Sequence, residues 1–381
     1  MDLSPRMVVL LVDALGWNLA SGTPGFGASL PHRRRLETIL GFSSGALPTL
    51  FTGRSPAEHG RWLMYRRALD GTPFAGFGWL RLAPERVRRS WKLGRLLRRV
   101  VERRGVRGYF DLYEVPREQL EEFDLAERDD PFAPGGLPLD SLWDSLERRG
   151  VRWARWNWRS PEADNLAALI DRLERGDERF LFCYTAELDA RLHAEGSGGA
   201  GVGARLDGYG RFLERACRAG ARGGPIWLYL LSDHGMVDVT RTEDVIARLE
   251  PLSVRRPQDY LAFFDSTMAR FWWRAPSARD AVRAALEGAP GRWLDAATLE
   301  REGCRFPRAE YGDDVFLLDP GALMLPSFMG RDPVAAMHGY DPAHPDMAAL
   351  LWSSRPIPEG VRRLADVRGF LESELDAAGA R

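Results

Sequence analysis

The sequence is poor in cysteine. Its 381 residues include only Cys183, Cys217 and Cys304, which are odd in number and far apart in the chain. They favour neither a disulfide framework nor a cysteine-rich zinc site. We therefore expect a protein of a reducing compartment, the cytoplasm.

The sequence also lacks long hydrophobic runs. None approaches the roughly 18 residues that a transmembrane helix needs. The N-terminal run MVVLLVDALGW is too short, is interrupted by Asp13 and is not followed by a secretory cleavage site. It is typical of a buried strand, and we expect a soluble protein without a transmembrane segment.

Neither sign of charge is in surplus, because the formal net charge is −1. A protein drawn as a whole to nucleic acid or to membranes needs a strong excess of one sign. We therefore expect no polymeric nucleic acid partner. Any charged ligand must be bound by a local group of side chains.

One local imbalance stands out in the first half of the chain. Residues 81–107 carry eleven basic and two acidic side chains, whereas residues 111–130 carry two basic and nine acidic ones. Helical spacing places an apolar stripe on one side of the basic stretch, formed by Leu93, Leu96, Leu97, Val100 and Val101. Two interpretations stay open: a solvated helix packed onto the domain, or a lid that attracts an anionic substrate or contacts a lipid surface peripherally.

The order of strand-like and helix-like segments predicts the fold class. Three near-continuous apolar runs, MVVLLVDALG, RFLFCYTAELD and PIWLYLLSDHG, are typical of parallel strands buried on both faces, and helical patterns alternate with them. This alternation predicts an α/β protein with a mostly parallel central sheet flanked by helices. We expect one domain over residues 1–381, with insertions at about 61–135 and 250–310 that form a cap over the C-terminal strand ends. The core is expected to resume at DDVFLLDPGALMLP.

Potential metal ligands follow these predicted strands. Asp13 ends the first strand, and similar positions are occupied by a set of five further residues: Asp189, His193, Asp233, His234 and His338. Carboxylate and imidazole groups suit Zn²⁺, with Mn²⁺ as the alternative. Any one of them alone is more often a capping or core residue. Together, at the strand ends where α/β proteins bind ligands, they favour a catalytic metal site.

The stretch GFSSGALPTLFTGRSPAEHG contains two adjacent hydroxyl side chains, Ser43 and Ser44, at a predicted transition from strand to helix. Serine is a good N-cap residue. A helix N-terminus also stabilises anions, which suits a nucleophile. The stretch alone does not distinguish a cap from a nucleophile.

These motifs, in the order Asp13, SSGALPTLFTGRSPAEHG, ELDARLH, SDHGM and MHGYD, resemble the alkaline phosphatase superfamily, and within it the type I phosphodiesterase/nucleotide pyrophosphatase branch. The resemblance implies an alkaline phosphatase-like fold and two divalent ions. One ion would be held by Asp13, Asp233 and His234. The other would be held by Asp189, His193 and His338.

The resemblance also implies the reaction. The family nucleophile precedes the Gly of a Thr-Gly pair by ten residues, which selects Ser43, with Ser44 as second choice. The expected activity is hydrolysis of a small phosphate ester or diester through a metal-activated serine and a phosphoserine intermediate.

The chain departs from the family pattern at one position. Met64 stands where the family commonly has an asparagine that holds a phosphoryl oxygen. Arg61, Arg66 and Arg67 are candidates to replace it, and Tyr65 is a further candidate substrate contact. With an arginine there, the alternative activity is that of a phosphomonoesterase or phosphotransferase. A catalytically inactive binding protein is disfavoured, because six charged or polar ligands are retained.

Overall fold

The structure is a computed structural model that describes residues 4–379, with the side chains of residues 221–223 left out of the description. Its strands are β1 Arg6–Val12, β2 His32–Leu36, β3 Tyr65–Arg67, β4 Phe123–Leu125, β5 Trp153–Trp156, β6 Phe180–Thr185, β7 Ile226–Leu231, β8 Val237–Asp238, β9 Arg241–Glu243, β10 Tyr260–Phe264, β11 Met268–Trp273, β12 Gly291–Leu294, β13 Asp314–Leu318, β14 Ala322–Met324, β15 Ala336–Met337 and β16 Ala349–Ser353.

Its α-helices are α1 Trp17–Gly22, α2 Ser43–Thr52, α3 Pro56–His59, α4 Glu85–Arg88, α5 Trp91–Arg103, α6 Leu142–Arg148, α7 Glu162–Arg175, α8 Glu187–Glu195, α9 Ala200–Gly223, α10 Val245–Leu249, α11 Pro276–Ala285, α12 Ala296–Arg301 and α13 Leu364–Ala377. Short 3₁₀ helices span Gly78–Leu82, Arg117–Glu122 and Pro345–Met347. Within residues 4–379, no helix combines the length and the apolar character needed to cross a bilayer.

The central sheet has six strands in the order β2-β16-β7-β1-β6-β5. The neighbours β7, β1, β6 and β5 run parallel, while β16 pairs antiparallel with both β7 and β2. The three apolar runs predicted to be buried strands are β1, β6 and β7. The predicted fold class, a mostly parallel sheet flanked by helices, is confirmed.

Both faces of this sheet are covered, which explains why its strands read as continuous apolar sequence. Successive side chains of a strand point to opposite faces. On β1, Met7, Val9 and Leu11 pack into one core with α2, α6 and α13, whereas Val8, Leu10 and Val12 pack into another with α7, α8 and α9. All six side chains are fully buried, so the sequence of β1 is continuously apolar and does not alternate between apolar and polar residues.

A second, antiparallel sheet has the order β10-β11-β13-β12. It shares one hydrophobic core with residues of the first insertion, including Tyr65 on β3, Phe123 on β4 and Leu97 on α5. The two predicted insertions therefore pack against each other. The expectation that the core resumes at DDVFLLDPGALMLP is wrong, because β13 belongs to this second sheet and the central sheet resumes only at β16.

The basic stretch forms α5, and its apolar stripe is narrower than predicted. Leu97 and Val101 are buried, and Leu93 and Val100 pack against the same core. Leu96 is instead 55% exposed. Successive residues of an α-helix are rotated by about 100° around its axis, and this rotation places Leu96 at the outer edge of the stripe.

Candidate metal centre and adjacent cavity

The predicted ligands converge because their strands are neighbours. Asp13 directly follows β1, Asp189 lies in the first turn of α8 after β6, and Asp233 follows β7 by two residues. Since β7, β1 and β6 are adjacent and parallel, their carboxyl ends lie at one edge of the sheet. His338 reaches the same edge from the short strand β15.

One ligand group consists of Asp189, His193 and His338. Asp189 and His193 stand four residues apart on α8, which places them on one helix face. Asp189 Oδ1 lies 3.3 Å from His193 Nε2 and 3.7 Å from His338 Nε2. One ligand atom from each residue lies within 4.8 Å of the others, so a single ion could contact all three.

A second group surrounds His234. Its Nε2 lies 3.4 Å from Asp13 Oδ1 and 3.4 Å from Asp233 Oδ2. Asp13, Asp189 and His234 also place ligand atoms within 4.8 Å of one another, so Asp189 connects the two groups. The imidazole rings of His234 and His338 stack with centroids 3.9 Å apart.

Hydrogen bonds behind the groups orient the ligand atoms. His193 Nδ1 lies 2.8 Å from the carbonyl of Ala336, and His234 Nδ1 lies 2.9 Å from that of Gly235. A carbonyl only accepts, so each Nδ1 carries the proton and each Nε2 lone pair faces the group. Tyr184 donates to Asp13 Oδ2, and the other carboxylate oxygen, Oδ1, faces His234 Nε2.

The donor set fits a divalent cation. Asp189 Oδ1 and Asp233 Oδ2 are buried oxygens that accept no hydrogen bond from any residue the structure describes. Burial and the neighbouring carboxylates of Asp233 and Asp189 hold the pKa of Asp13 well above its usual range. Three crowded carboxyls repel one another in a buried site, and a cation among them would remove this repulsion.

The two adjacent serines have different surroundings. Ser43 Oγ lies 3.0 Å from His234 Nε2 and 3.4 Å from Asp13 Oδ1. Ser44 Oγ instead donates to the carbonyl of Trp62 at 3.2 Å. The N-cap of α2 is Phe42, so neither serine caps this helix, and of the two hydroxyls only that of Ser43 approaches the metal ligands.

The start of α2 packs tightly against the next segment. A Cβ atom at Gly45 would lie 2.6 Å from the carbonyl oxygen of Trp62. Glycine is therefore required at this position for the helix to approach the segment after α3. This approach also explains how the Ser44 hydroxyl reaches Trp62.

A cavity of about 580 Å³ opens beside the metal ligands. Its lining includes the potential metal ligands Asp13, Asp189, His193 and His338, together with Ser43. Its other walls are mainly apolar and aromatic and include Phe42, Leu47, Phe132, Trp158, Met324 and Met329. Among the side chains that the structure describes, which leave out those of residues 221–223, no arginine or lysine belongs to the lining.

The predicted substrate contacts lie outside this lining. Arg61 is buried and donates to the carbonyl of Gly136 at 2.7 Å. Tyr65 is fully buried and its hydroxyl donates to the backbone carbonyl of Asp111, while Arg66 pairs with the Asp124 carboxylate at 2.9 Å. The backbone N–H of Arg67, on β3, donates to the backbone carbonyl of Glu310. The first insertion folds these four side chains away from the cavity, so the structure does not bring them to the site.

Several residues at the site were not predicted from the sequence. Met64, matched to the family asparagine, does line the cavity, but Glu127, Tyr109 and Trp158 line it too. Only Tyr184 carried a local signal, because it stands one residue before the end of the strand that precedes Asp189. The others lie in the insertion or after an edge strand, where no motif marked them.

Comparisons with known proteins establish the fold. No protein-family model matches the chain, and no curated protein matches its sequence. The structure is similar to that of murine ectonucleotide pyrophosphatase/phosphodiesterase 5, with a TM-score of 0.67, 15% identity and coverage of 99% of this chain and 95% of the other. For the human protein the TM-score is 0.66, at 13% identity and coverages of 99% and 95%.

A third solved structure is that of an inactive murine variant, with one threonine replaced by alanine, in complex with AMP. It has a TM-score of 0.65 and 15% identity, covering 99% of this chain and 96% of its own. At such identities the likeness concerns the fold. It confirms that the chain has the same fold as these ectonucleotide pyrophosphatase/phosphodiesterase structures.

Proposed function

We propose that this protein is a metal-dependent hydrolase of small phosphodiesters, including nucleotide-like ones, that uses Ser43 as its nucleophile. The observation that carries the proposal is the position of the Ser43 hydroxyl, 3.0 Å from His234 Nε2 at the start of α2. Six Asp and His side chains from distant parts of the chain surround that point. The AMP bound to the murine neighbour supports a nucleotide-like substrate.

Two sets of three residues would hold the ions. Asp13, Asp233 and His234 form one set, and Asp189, His193 and His338 form the other. Oxygen and nitrogen donors without thiolate suit Zn²⁺ or Mn²⁺, and three protein ligands per ion are typical of catalytic rather than structural sites. When bound, the ions would lower the pKa of the attacking hydroxyl and neutralise charge on the phosphoryl oxygens.

Ser43 supplies the covalent step. Its Oγ attacks phosphorus and forms a serine–phosphate ester while the bond from phosphorus to the leaving alcohol breaks. The first N–H groups of α2 lack intrahelical partners, and the positive end of the helix favours the developing negative charge. Water then cleaves the bond between phosphorus and Ser43 Oγ, which releases the phosphate monoester and regenerates the hydroxyl.

The cavity lining favours a diester over a monoester. A monoester dianion calls for additional cations, and arginine is the residue best suited to bind it. The arginines that were candidates for this role, Arg61, Arg66 and Arg67, lie outside the lining. The apolar and aromatic walls, with Met64 in place of an amide, instead suit the organic group on the far side of a diester.

A comparison of serine variants tests the proposal. We expect Ser43→Ala to lower kcat/KM for bis-p-nitrophenyl phosphate by at least about a thousandfold, because it removes the nucleophile. Ser44→Ala should stay within about tenfold of the parent, since that hydroxyl bonds to the Trp62 carbonyl.

The parent protein should also hydrolyse bis-p-nitrophenyl phosphate faster than p-nitrophenyl phosphate. A loss of activity confined to Ser44→Ala would show that Ser44, and not Ser43, is the nucleophile. Faster hydrolysis of the monoester would favour the phosphomonoesterase alternative. An inactive parent that still binds zinc would identify a binding protein.

A further inference from the structure

Exposed apolar side chains are concentrated in one part of the first insertion. Five large ones fall between residues 79 and 96: Trp79 (55% exposed), Leu82 (90%), Val87 (45%), Trp91 (64%) and Leu96 (55%). Elsewhere in residues 4–379, only Tyr109 and Leu139 among the large hydrophobic residues are exposed. Single exposed apolar side chains are ordinary, but a concentration of them marks an interaction surface.

The exposed side of α5 is also strongly basic. Helical spacing places Lys92, Arg95 and Arg99 between Trp91 and Leu96, opposite the buried stripe. None of these three basic side chains lies within ion-pair distance of a carboxylate in the part of the chain that is described. The Arg95 guanidinium stacks over the Trp91 ring at 4.6 Å.

The neighbouring acidic stretch neutralises a different set of arginines. Arg88 pairs with Glu118 at 2.6 Å, Arg81 with Glu122 at 3.7 Å and Arg98 with Asp111 at 3.8 Å. These pairs tie the basic segment to the domain. The basic residues on the outward face of α5 take no part in these pairs. Their charge is therefore not explained by attachment of the helix to the domain.

We propose that residues 79–103, hereafter the docking segment, form a peripheral docking surface for an anionic lipid bilayer. Transfer of tryptophan and leucine side chains to the apolar boundary of a bilayer is favourable, and lysine and arginine are attracted to anionic headgroups. A nucleic acid would satisfy the charge, but it would leave Leu96, beside the basic residues on α5, without an apolar partner. The combination therefore favours a membrane.

The docking segment also contacts the cavity wall. Arg98, on α5, lies over the ring of Phe110 at 5.5 Å and near Asp111. The flanking residues Tyr109 and Tyr113 line the cavity. Binding to a bilayer would thus hold this side of the cavity near the lipid surface.

Vesicle binding by the full chain tests the docking segment. We expect sedimentation with phosphatidylcholine vesicles that contain about one third phosphatidylglycerol, at least about tenfold tighter than with phosphatidylcholine alone. Affinity should fall as salt rises, because exposed charges are screened. The readout is binding, so it does not depend on whether the protein is a hydrolase.

A matched pair of variants separates the docking segment from general surface charge. Arg95→Glu/Arg99→Glu should weaken binding by at least tenfold, because each basic residue near the surface contributes about fivefold. Arg211→Glu/Arg215→Glu reverses two exposed arginines at the same spacing on α9 and should change affinity by less than about twofold. Trp91→Ala/Leu96→Ala should also weaken binding, with the charge intact.

Equal losses in both arginine pairs would overturn the proposal, as would salt-independent binding to phosphatidylcholine alone. Tight binding to a duplex or single-stranded oligonucleotide with no vesicle binding would assign the segment to nucleic acid instead. Far-ultraviolet circular dichroism and the thermal midpoint of each variant would verify folding, since all of the changed side chains are exposed.

Discussion

At the scale of single residues, Glu127 is a buried carboxyl on the cavity wall. It accepts a hydrogen bond from the Tyr109 N–H at 2.7 Å. Burial raises the pKa of Glu127 to about 7, although that hydrogen bond and the charge of Arg61 lower it. Glu127 is therefore partly protonated near neutral pH, which brings a titratable group to the substrate cavity outside the metal ligands.

This pKa makes the stability of the protein depend on pH. Between its ordinary pKa and about 7, the folded state holds the Glu127 proton more tightly than the unfolded chain does. Stability is therefore lost as pH rises through this window, by up to about 3 kcal/mol. Urea unfolding measures the free energy of unfolding at pH 5 and at pH 8. From pH 5 to pH 8, the stability of Glu127→Gln relative to the parent should rise by about 2 kcal/mol, because the variant lacks the carboxyl that titrates.

The control for this prediction is Glu174→Gln, which changes an exposed carboxylate on α7. Its free energy of unfolding should track that of the parent at both pH values. A parallel shift in Glu127→Gln and Glu174→Gln would show that Glu127 has no special role.

At the scale of elements, the helix that begins at Ser43 is braced by the end of α3. The Arg61 N–H donates to His59 Nδ1 at 3.3 Å, so His59 Nε2 carries the proton. Nε2 then donates to Thr49 Oγ1 at 3.0 Å, and Thr49 donates to the Gly45 carbonyl at 2.9 Å. Burial, aided by Arg61, lowers the pKa of His59 to about 3, so the ring stays neutral in the folded protein.

Removal of this brace should be costly. We expect His59→Ala to lower the free energy of unfolding by about 3 kcal/mol at pH 7, because it leaves a cavity and an unpaired buried N–H. Chemical denaturation measures the loss. His32→Ala, on the edge strand β2, should cost less than about 1 kcal/mol. Equal costs for the two variants would contradict a bracing role for His59.

At the scale of the whole molecule, the fold brings Asp13, Asp189 and Asp233 from three strand ends into one buried site. Their convergence opposes folding unless a cation is present. Cys183, Cys217 and Cys304 are free, so no disulfide offsets the repulsion among these carboxylates. The cytoplasmic location stays a prediction.

Metal removal should therefore destabilise the entire protein. An ion that binds only the folded state contributes about 3 kcal/mol when its free concentration is about a hundred times its Kd. Chelator should lower Tm by a few degrees and abolish hydrolysis, and Zn²⁺ or Mn²⁺ should restore both. Differential scanning calorimetry measures the shift.

Asp233→Asn provides the control for metal removal. It keeps the shape of the side chain but removes one charge, so its metal-free Tm should not fall below that of the metal-free parent. It should respond less to added zinc. A parent Tm that ignores verified removal and return of metal would contradict the metal centre.

The family resemblance selected Ser43, whereas the sequence pattern by itself determined the fold class and the set of acidic and histidine residues that meets at one edge of the sheet. The physical reason is that strands buried on both faces are continuous apolar runs, and the residues that end adjacent parallel strands must lie together. Local pattern therefore carried this information.

Only the tertiary structure decided which side chains face the cavity. Arg61, Arg66 and Arg67 are as basic as any phosphate ligand, yet the packing of the first insertion against the second sheet turns them away. The same packing places β13 outside the central sheet and leaves Leu96 exposed. These outcomes depend on contacts between segments far apart in the chain, which periodicity and spacing do not report.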